Sequence, residues 1–358
     1  MSLLSPVGLR LQYVRYSFTA SPCIQLARGK QNPSTRVNRS TRSPPPLSTD
    51  LHTCSGTCLP IVSSPACLIY KEGEPPMAAR LSDQTVIITG ASRGIGRTIA
   101  KMCATEGARV AVTARNYDHL KSLADEINSE GGTAIPIAVD VTQRDQIGRM
   151  LTAVDEAFGP VDLMVNNAGT LNHVGPSWEA DPDEWWQDIQ INVYGLFLCN
   201  RMTIPPMLKA GKGRIINVTG GGAGSPFPFV SGYATGKAAV VRFTENLAEE
   251  LDRAGEEAIK VFSISPGFVR TDMTETFINT EKGRKWMDYM AERLNTNQDI
   301  SPTHAAELVI RIGTGVLDAY HGRYLHAGKD AAILDDLPEQ GTETVMNDYR
   351  VLRFTKPS

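Results

Sequence analysis

The chain has 358 residues, of which 41% are apolar and 21% charged, and its formal net charge is −3. This composition is typical of a globular protein that can bury a substantial core, and no apolar run reaches the ~18 residues of a membrane span. Residues 1–76 hold eight Lys or Arg against three acids, a net +5, so residues 77–358 carry −8, which argues against a nucleic-acid partner.

The first part of the chain differs from the rest. Residues 1–76 hold ten of the 22 prolines and show no hydrophobic periodicity, which predicts a disordered N-terminal extension over 1–78. Its richness in Arg and Ser and poverty in acids are typical of organelle transit peptides, whereas Met77-Ala78-Ala79 resembles a start site and favours an upstream extension of the reading frame. The first explanation predicts mitochondria or another organelle, and the second predicts the cytoplasm.

The cysteines do not indicate a metal. Those of the extension lack partners at zinc-ligand spacing, so no metal site is predicted. Cys103 and Cys199 fall in predicted helices, where we expect buried thiols that suit a reducing compartment.

From Ser82 onward, strand-like and helix-like segments alternate. The alternation predicts an α/β fold with a doubly wound, mostly parallel sheet of seven strands in one domain over 79–358. Strands are predicted at 85–89, 109–113, 134–139, 161–165, 214–218, 260–264 and 323–327. Helices are predicted after Gly96 and over 117–129, 143–158, 183–208, 231–254 and 303–314. We expect the helix over 183–208 to be interrupted at Pro205-Pro206.

The turn after the first strand is rich in glycine. Residues 86–96 read VIITGASRGIG, and three glycines there supply a tight turn, a bare backbone for a pyrophosphate and close helix packing. The following helix N-terminus favours anions. We therefore expect a dinucleotide site that includes Gly90, Ser92, Arg93, Gly94, Ile95 and Gly96.

The end of the second strand carries Arg115 where an acid would bind a ribose 2′-hydroxyl. An Arg can instead pair with a 2′-phosphate, and Arg93 adds a second cation. Both favour NADP over NAD. The alternative is a pair of solvated surface arginines.

The next two strand ends offer further contacts. Asp140, followed by Val141, can accept a hydrogen bond from an adenine amino group or cap the next helix. After the fourth strand, 166–169 reads NNAG, which places Asn167, Ala168 and Gly169 where a cofactor would cross the sheet; the same residues suit an ordinary turn.

Tyr233 and Lys237 lie four residues apart in a predicted helix and therefore on one face. A neighbouring ammonium favours the phenolate and is expected to lower the pKa of Tyr233. Such a phenol is a proton donor to a carbonyl oxygen.

Together these segments resemble the short-chain dehydrogenase/reductase family. The resemblance rests on TGASRGIG at 89–96, NNAG at 166–169, Asn192, Tyr233 with Lys237, and Pro266-Gly267 followed by Thr271. It spans about 79–327 and implies a Rossmann fold, a homodimer or homotetramer, and NADP-dependent interconversion of a carbonyl and an alcohol of small molecules.

The resemblance also implies roles for individual residues. Tyr233 would be the acid or base, Lys237 would hold the nicotinamide ribose, and Asn192 would anchor a water that leads to Lys237. The nicotinamide would be lined by Pro266, Gly267, Val269 and Thr271.

One position departs from the family pattern. The serine expected thirteen residues before Tyr233 is Gly220. Thr219 is our first choice for the replacement hydroxyl, and Ser225 is the other. Without a replacement, the chain would be a dinucleotide-binding sensor or scaffold with little turnover, because one such donor is worth about 10²–10³ in rate.

The segment 272–300 follows the sixth strand and is expected to form a substrate lid. Its Trp286, Met287, Tyr289 and Met290 have helical spacing, which favours an apolar face over a hydrophobic substrate. The alternative is an ordinary core face.

Overall fold

The computed structural model describes residues 79–328. The predicted extension over 1–78 lies outside the described residues, as do residues 329–358. The choice between a transit peptide and an upstream reading frame therefore stays a prediction. Within them, no helix is long and apolar enough to cross a membrane.

Seven strands form one sheet. They are β1 (Thr85–Thr89), β2 (Arg109–Ala114), β3 (Thr133–Ala138), β4 (Leu163–Asn166), β5 (Gly213–Val218), β6 (Ile259–Ser265) and β7 (Tyr324–His326). Their order in the sheet is β3-β2-β1-β4-β5-β6-β7, and every neighbouring pair is parallel, which confirms the predicted doubly wound sheet. The order reverses between β1 and β4, which is where such sheets open a crevice at their carboxyl ends.

Helices cover both faces of the sheet. They are α1 (Gly94–Thr105), α2 (Tyr117–Ser129), α3 (Arg144–Phe158), α4 (Pro182–Ile189), α5 (Leu196–Ala210), α6 (Ser231–Ala254), α7 (Asp272–Asn279), α8 (Glu281–Trp286), α9 (Asp288–Asn295) and α10 (Thr303–Gly313). In the fully buried strand β1, Val86 and Ile88 pack with α1, α2 and α10 on one face, whereas Ile87 packs with α3, α5 and α6 on the other. Burial on both faces explains the continuous apolar runs of the strands.

The predicted interruption at Pro205-Pro206 is wrong. Helix α5 continues through both prolines, and the irregular part is instead a π-helical segment, Gln190–Gly195, between α4 and α5. Both prolines are exposed, so the carbonyl groups that lose an N–H donor lie on the solvent side of the helix.

The two cysteines of the described part are buried free thiols, Cys103 in α1 and Cys199 in α5. Burial raises the pKa of each thiol to about 12. They behave as small apolar side chains on opposite faces of the sheet.

Candidate functional site

Two cavities meet at the carboxyl ends of the strands. The first, here the glycine cleft, has a volume of about 430 Å³ and crosses the ends of β3, β2, β1 and β4, with the glycine turn at the end of β1. The second, here the apolar cavity, has a volume of about 880 Å³ and lies between the segment 220–227 and helices α7 and α9. The residues that line both cavities are Ile95, Tyr233, Pro266, Thr271 and Met273.

Most of the expected cofactor residues come together in the glycine cleft. Gly267 and Val269 do not line it; they line the apolar cavity. The expected residues that do line the cleft are Gly90, Ser92, Arg93, Gly94, Ile95, Gly96, Arg115, Asp140, Val141, Asn167, Ala168, Gly169, Tyr233, Lys237, Pro266 and Thr271.

The glycine turn has room for backbone only. A Cβ on Gly90 would lie 2.8 Å from Cα of Ala168, and a Cβ on Gly96 would lie 2.5 Å from the Gly90 oxygen. Gly90 and Gly94 also have positive φ angles, which favour glycine. The N-cap of α1, Arg93, makes no side-chain capping bond, so the helix start presents backbone N–H groups to the cleft.

Asn167 fastens this turn to β1. Its Nδ2 donates to the carbonyl oxygens of Thr89 at 2.9 Å and Gly90 at 3.1 Å. The hydroxyl of Thr89 accepts from the N–H of Ala168 at 3.0 Å. The Asn167 side chain therefore shapes the turn, and Asn167 lines the cleft together with Ala168 and Gly169.

The two arginines of the cleft differ in their partners. Arg93 forms an ion pair with Asp272 at 3.0 Å, and both side chains are about 70% exposed. An exposed pair of this kind contributes about 0–1 kcal/mol, so it is readily exchanged. Arg115 is exposed at the end of β2, and the described structure gives it no acidic partner.

Asp140 does not cap α3. Its Oδ1 accepts from the N–H of Thr142 at 2.9 Å and from the Thr142 hydroxyl at 2.8 Å. The N-cap of α3 is Gln143. Asp140 thus closes a turn before the helix and keeps its place on the wall of the cleft.

Tyr233 and Lys237 lie on the first two turns of α6, and both are buried. The Lys237 Nζ is 5.4 Å from the Tyr233 ring centroid and donates to the carbonyl oxygen of Val218 at 3.1 Å. The spacing therefore brings the pair together as expected. Gly169 lies beside the ammonium, since a Cβ there would be 3.3 Å from Nζ.

The expected lowering of the Tyr233 pKa is not found. Burial raises the pKa of the Tyr233 phenol above its ordinary value, helped by Tyr324 and Asp188. Burial also lowers the pKa of Lys237 to about 8. Removal of water penalises the charged form of each side chain, and this is the largest cause of both shifts.

Asn192 lies in the π-helical segment and is fully buried. Its Oδ1 accepts from the N–H of Thr170 at 3.2 Å, and its Nδ2 donates to the Thr170 oxygen at 2.8 Å. Asn192 therefore holds the chain that follows β4 close to Lys237. Such π-bulges inside helices are frequent at functional sites.

Thr219 does not supply the missing hydroxyl to the apolar cavity. Its Oγ1 donates to the carbonyl oxygen of Ile264 at 2.9 Å, and the side chain is buried and lines only the glycine cleft. The Thr219 proton is directed to β6, which argues against Thr219 as the replacement donor. Ser225, the other choice, is exposed and lines the apolar cavity.

Helices α7 to α9 occupy the predicted lid segment, and its apolar stripe serves two purposes. Met287 is fully buried, and Trp286 stacks on Phe229 with ring centroids 4.9 Å apart. Tyr289 and Met290 line the apolar cavity. Within this stripe, Trp286 and Met287 therefore form a core face, whereas Tyr289 and Met290 form a wall of the cavity.

Two buried polar residues behind the site escaped the sequence analysis. Asn217 of β5 accepts from Asn166 at 2.9 Å and from Asn200 at 3.0 Å, and donates to Thr244 at 3.0 Å. Asp188 is buried near Tyr233, and burial raises its pKa to about 6. The sequence signal for Asn217 was an Asn inside an apolar strand. The sequence offered no comparable signal for Asp188.

Comparison with known proteins gives consistent matches. The model of the family described as short chain dehydrogenase matches residues 84–282. A short chain dehydrogenase of Pseudocercospora fijiensis is 33% identical over 75% of this chain and 88% of its own length. A 3-oxoacyl-[acyl-carrier-protein] reductase of Synechocystis sp. is 35% identical over 56% of this chain and 80% of its own. The crystal structure of a variant actinorhodin polyketide ketoreductase with NADPH is 30% identical, with a TM-score of 0.61 over 70% of this chain and 97% of that one.

Proposed function

This chain belongs to the short chain dehydrogenase family, and on that premise we propose that it is an NADP-dependent oxidoreductase that interconverts a carbonyl and an alcohol. The observation that carries the proposal is the position of Tyr233, which lines both the glycine cleft and the apolar cavity. A phenol at that junction is placed to exchange a proton with a substrate oxygen beside a bound cofactor.

The cleft has the features that a dinucleotide requires. The bare glycine turn and the uncapped start of α1 suit a pyrophosphate. The ends of β2 and β3 line the cleft on one side of the glycine turn, and the end of β4 and Lys237 line it on the other. When bound, the nicotinamide supplies or takes the hydride.

Arg115 supports NADP as the cofactor. It is exposed on the cleft wall, at the strand end where an NAD site has an acid. A guanidinium pairs with a phosphate through two parallel hydrogen bonds. Arg93 can add to this charge by leaving its weak pair with Asp272.

Tyr233 can serve as the acid in carbonyl reduction. Burial raises its pKa, so the phenol is protonated at neutral pH and has a proton to give to the oxygen that receives charge. Lys237, with a pKa of about 8, is mostly an ammonium at pH 7, which stabilises the phenolate left behind.

Gly220 supports a competing function, a dinucleotide-binding sensor or scaffold with little turnover, because it supplies no hydroxyl beside Tyr233. One experiment separates the two. NADPH binding is measured by fluorescence, and NADPH oxidation is followed with ketones, aldehydes and 3-oxoacyl thioesters. Turnover supports the oxidoreductase, whereas tight NADPH binding without turnover of any substrate supports the sensor.

A further inference from the structure

The apolar cavity contains one permanently charged side chain. Among the described residues that line it, none is Asp, Glu or Lys, and the only Arg is Arg293 of α9. Aromatic and apolar side chains form most of the remaining wall, including Phe227, Phe268 and Phe277.

Arg293 is held in place without an acidic partner. Its guanidinium carbon lies 4.5 Å from the Phe268 ring centroid, and its Nη1 is 4.0 Å from the Met290 sulfur. The structure records no ion pair of Arg293 within residues 79–328. Contact with the face of a ring stabilises a guanidinium through a cation–π interaction and uses none of its N–H donors.

A neighbouring arginine shows the contrast. Arg270 lies 3.9 Å from Glu275 and 3.7 Å from Asp299 and also donates to the Leu294 carbonyl. It is thus neutralised by residues of the same segment. Arg293 is half-buried beside an apolar space, and a cation in such surroundings is most stable when an anion reaches it.

We propose that the apolar cavity takes a substrate with an apolar body and a carboxylate, and that Arg293 binds that carboxylate while the carbonyl or alcohol lies at Tyr233. The inference rests on the proposed function, since Tyr233 marks the reacting end. A carboxylate matches the planar fork of a guanidinium through two hydrogen bonds. The volume of about 880 Å³ suits a ligand with a long apolar body.

Binding is tested without any reaction, with decanoate titrated into the full chain in the presence of NADP. We expect Arg293→Met to weaken decanoate binding by about tenfold or more, as for a lost charged hydrogen bond, and Arg293→Lys to retain most of it. Decanol should bind equally to wild type and Arg293→Met. Arg284→Met is the matched control, because this lid arginine bonds the Ile278 carbonyl and lies outside the cavity wall.

Turnover is tested with oxodecanoic acids and their methyl esters, which differ in charge. We expect wild type to prefer the acids and Arg293→Met to lose that preference. If decanoate binds wild type and Arg293→Met equally, or does not bind wild type, the inference is overturned. If decanoate binding depends on Arg293 but no carbonyl is reduced, the carboxylate site stands and the proposed reaction fails. If acids and esters are reduced equally by both proteins, the reaction stands and the inference fails.

Discussion

The hydroxyl of Tyr233 fills the position that a Cβ on Gly220 would occupy. The glycine is therefore matched to the tyrosine: any side chain at residue 220 meets the phenol oxygen. The phenol therefore takes the space that the side chain of the expected serine would need.

The first prediction concerns this match. Gly220→Ser should lower kcat by about tenfold or more, because the new side chain displaces the phenol from the junction of the two cavities. NADPH affinity should change little. Gly148→Ser is the control, since residue 148 lies outside both cavities and a Cβ there would lie 3.5 Å from its nearest neighbour, the Met202 side chain. A rise in kcat for Gly220→Ser would show that the site lacks, and can use, a serine hydroxyl.

Thr219 is predicted to stabilise the fold without taking part in the reaction. Thr219→Val removes the bond to the Ile264 oxygen and should reduce the free energy of unfolding by about 1 kcal/mol, or lower Tm by about 2–4 °C. Urea unfolding and steady-state rates measure the two effects. A large loss of kcat at unchanged stability would restore Thr219 as the replacement donor.

Arg115 should set the cofactor preference. Arg115→Asp is expected to reduce the ratio of kcat/KM for NADPH to that for NADH by about tenfold or more, since one charged hydrogen-bonded pair is lost. Arg149→Asp, an exposed residue of α3 outside the cleft, should leave the ratio unchanged. An unaltered ratio in Arg115→Asp would mean that Arg115 does not face the 2′-phosphate.

Lys237 should make stability depend on pH. Burial lowers its pKa from 10.5 to about 8, so between these values the unfolded chain holds the proton that the folded chain has lost. The free energy of unfolding of wild type, relative to Lys237→Met, should therefore rise as pH increases through this window. Lys209 is exposed, so Lys209→Met is the control. The free energy of unfolding of wild type relative to Lys209→Met should not rise in this window. A difference that stays flat or falls would show that the buried ammonium is not destabilised.

The family, the fold and the residues of the cleft were predictable because their signals are local. A β-branched run before Gly90 indicates a buried strand and turn, and the spacing of Tyr233 and Lys237 fixes a shared helix face. The resemblance to the family followed from the order of such segments, and the match over 84–282 confirms it.

The remaining features depend on contacts between distant segments. Thr219 could be placed at the end of β5, but that its proton goes to Ile264 depends on how β6 lies beside it. The direction of the Tyr233 pKa shift depends on burial, which residue spacing does not give. The two hydrogen bonds between the Asn192 side chain and the Thr170 backbone likewise join segments that lie apart in the sequence.

Tyr233→Phe decides whether Tyr233 gives the proton to the substrate oxygen. The variant is measured for NADPH-dependent reduction of the best carbonyl substrate, alongside its NADPH dissociation constant. We expect kcat to fall by about 10²–10⁴, the range for a general acid, with NADPH binding nearly unchanged. If the variant retains most of the wild-type rate, Tyr233 is not the proton donor.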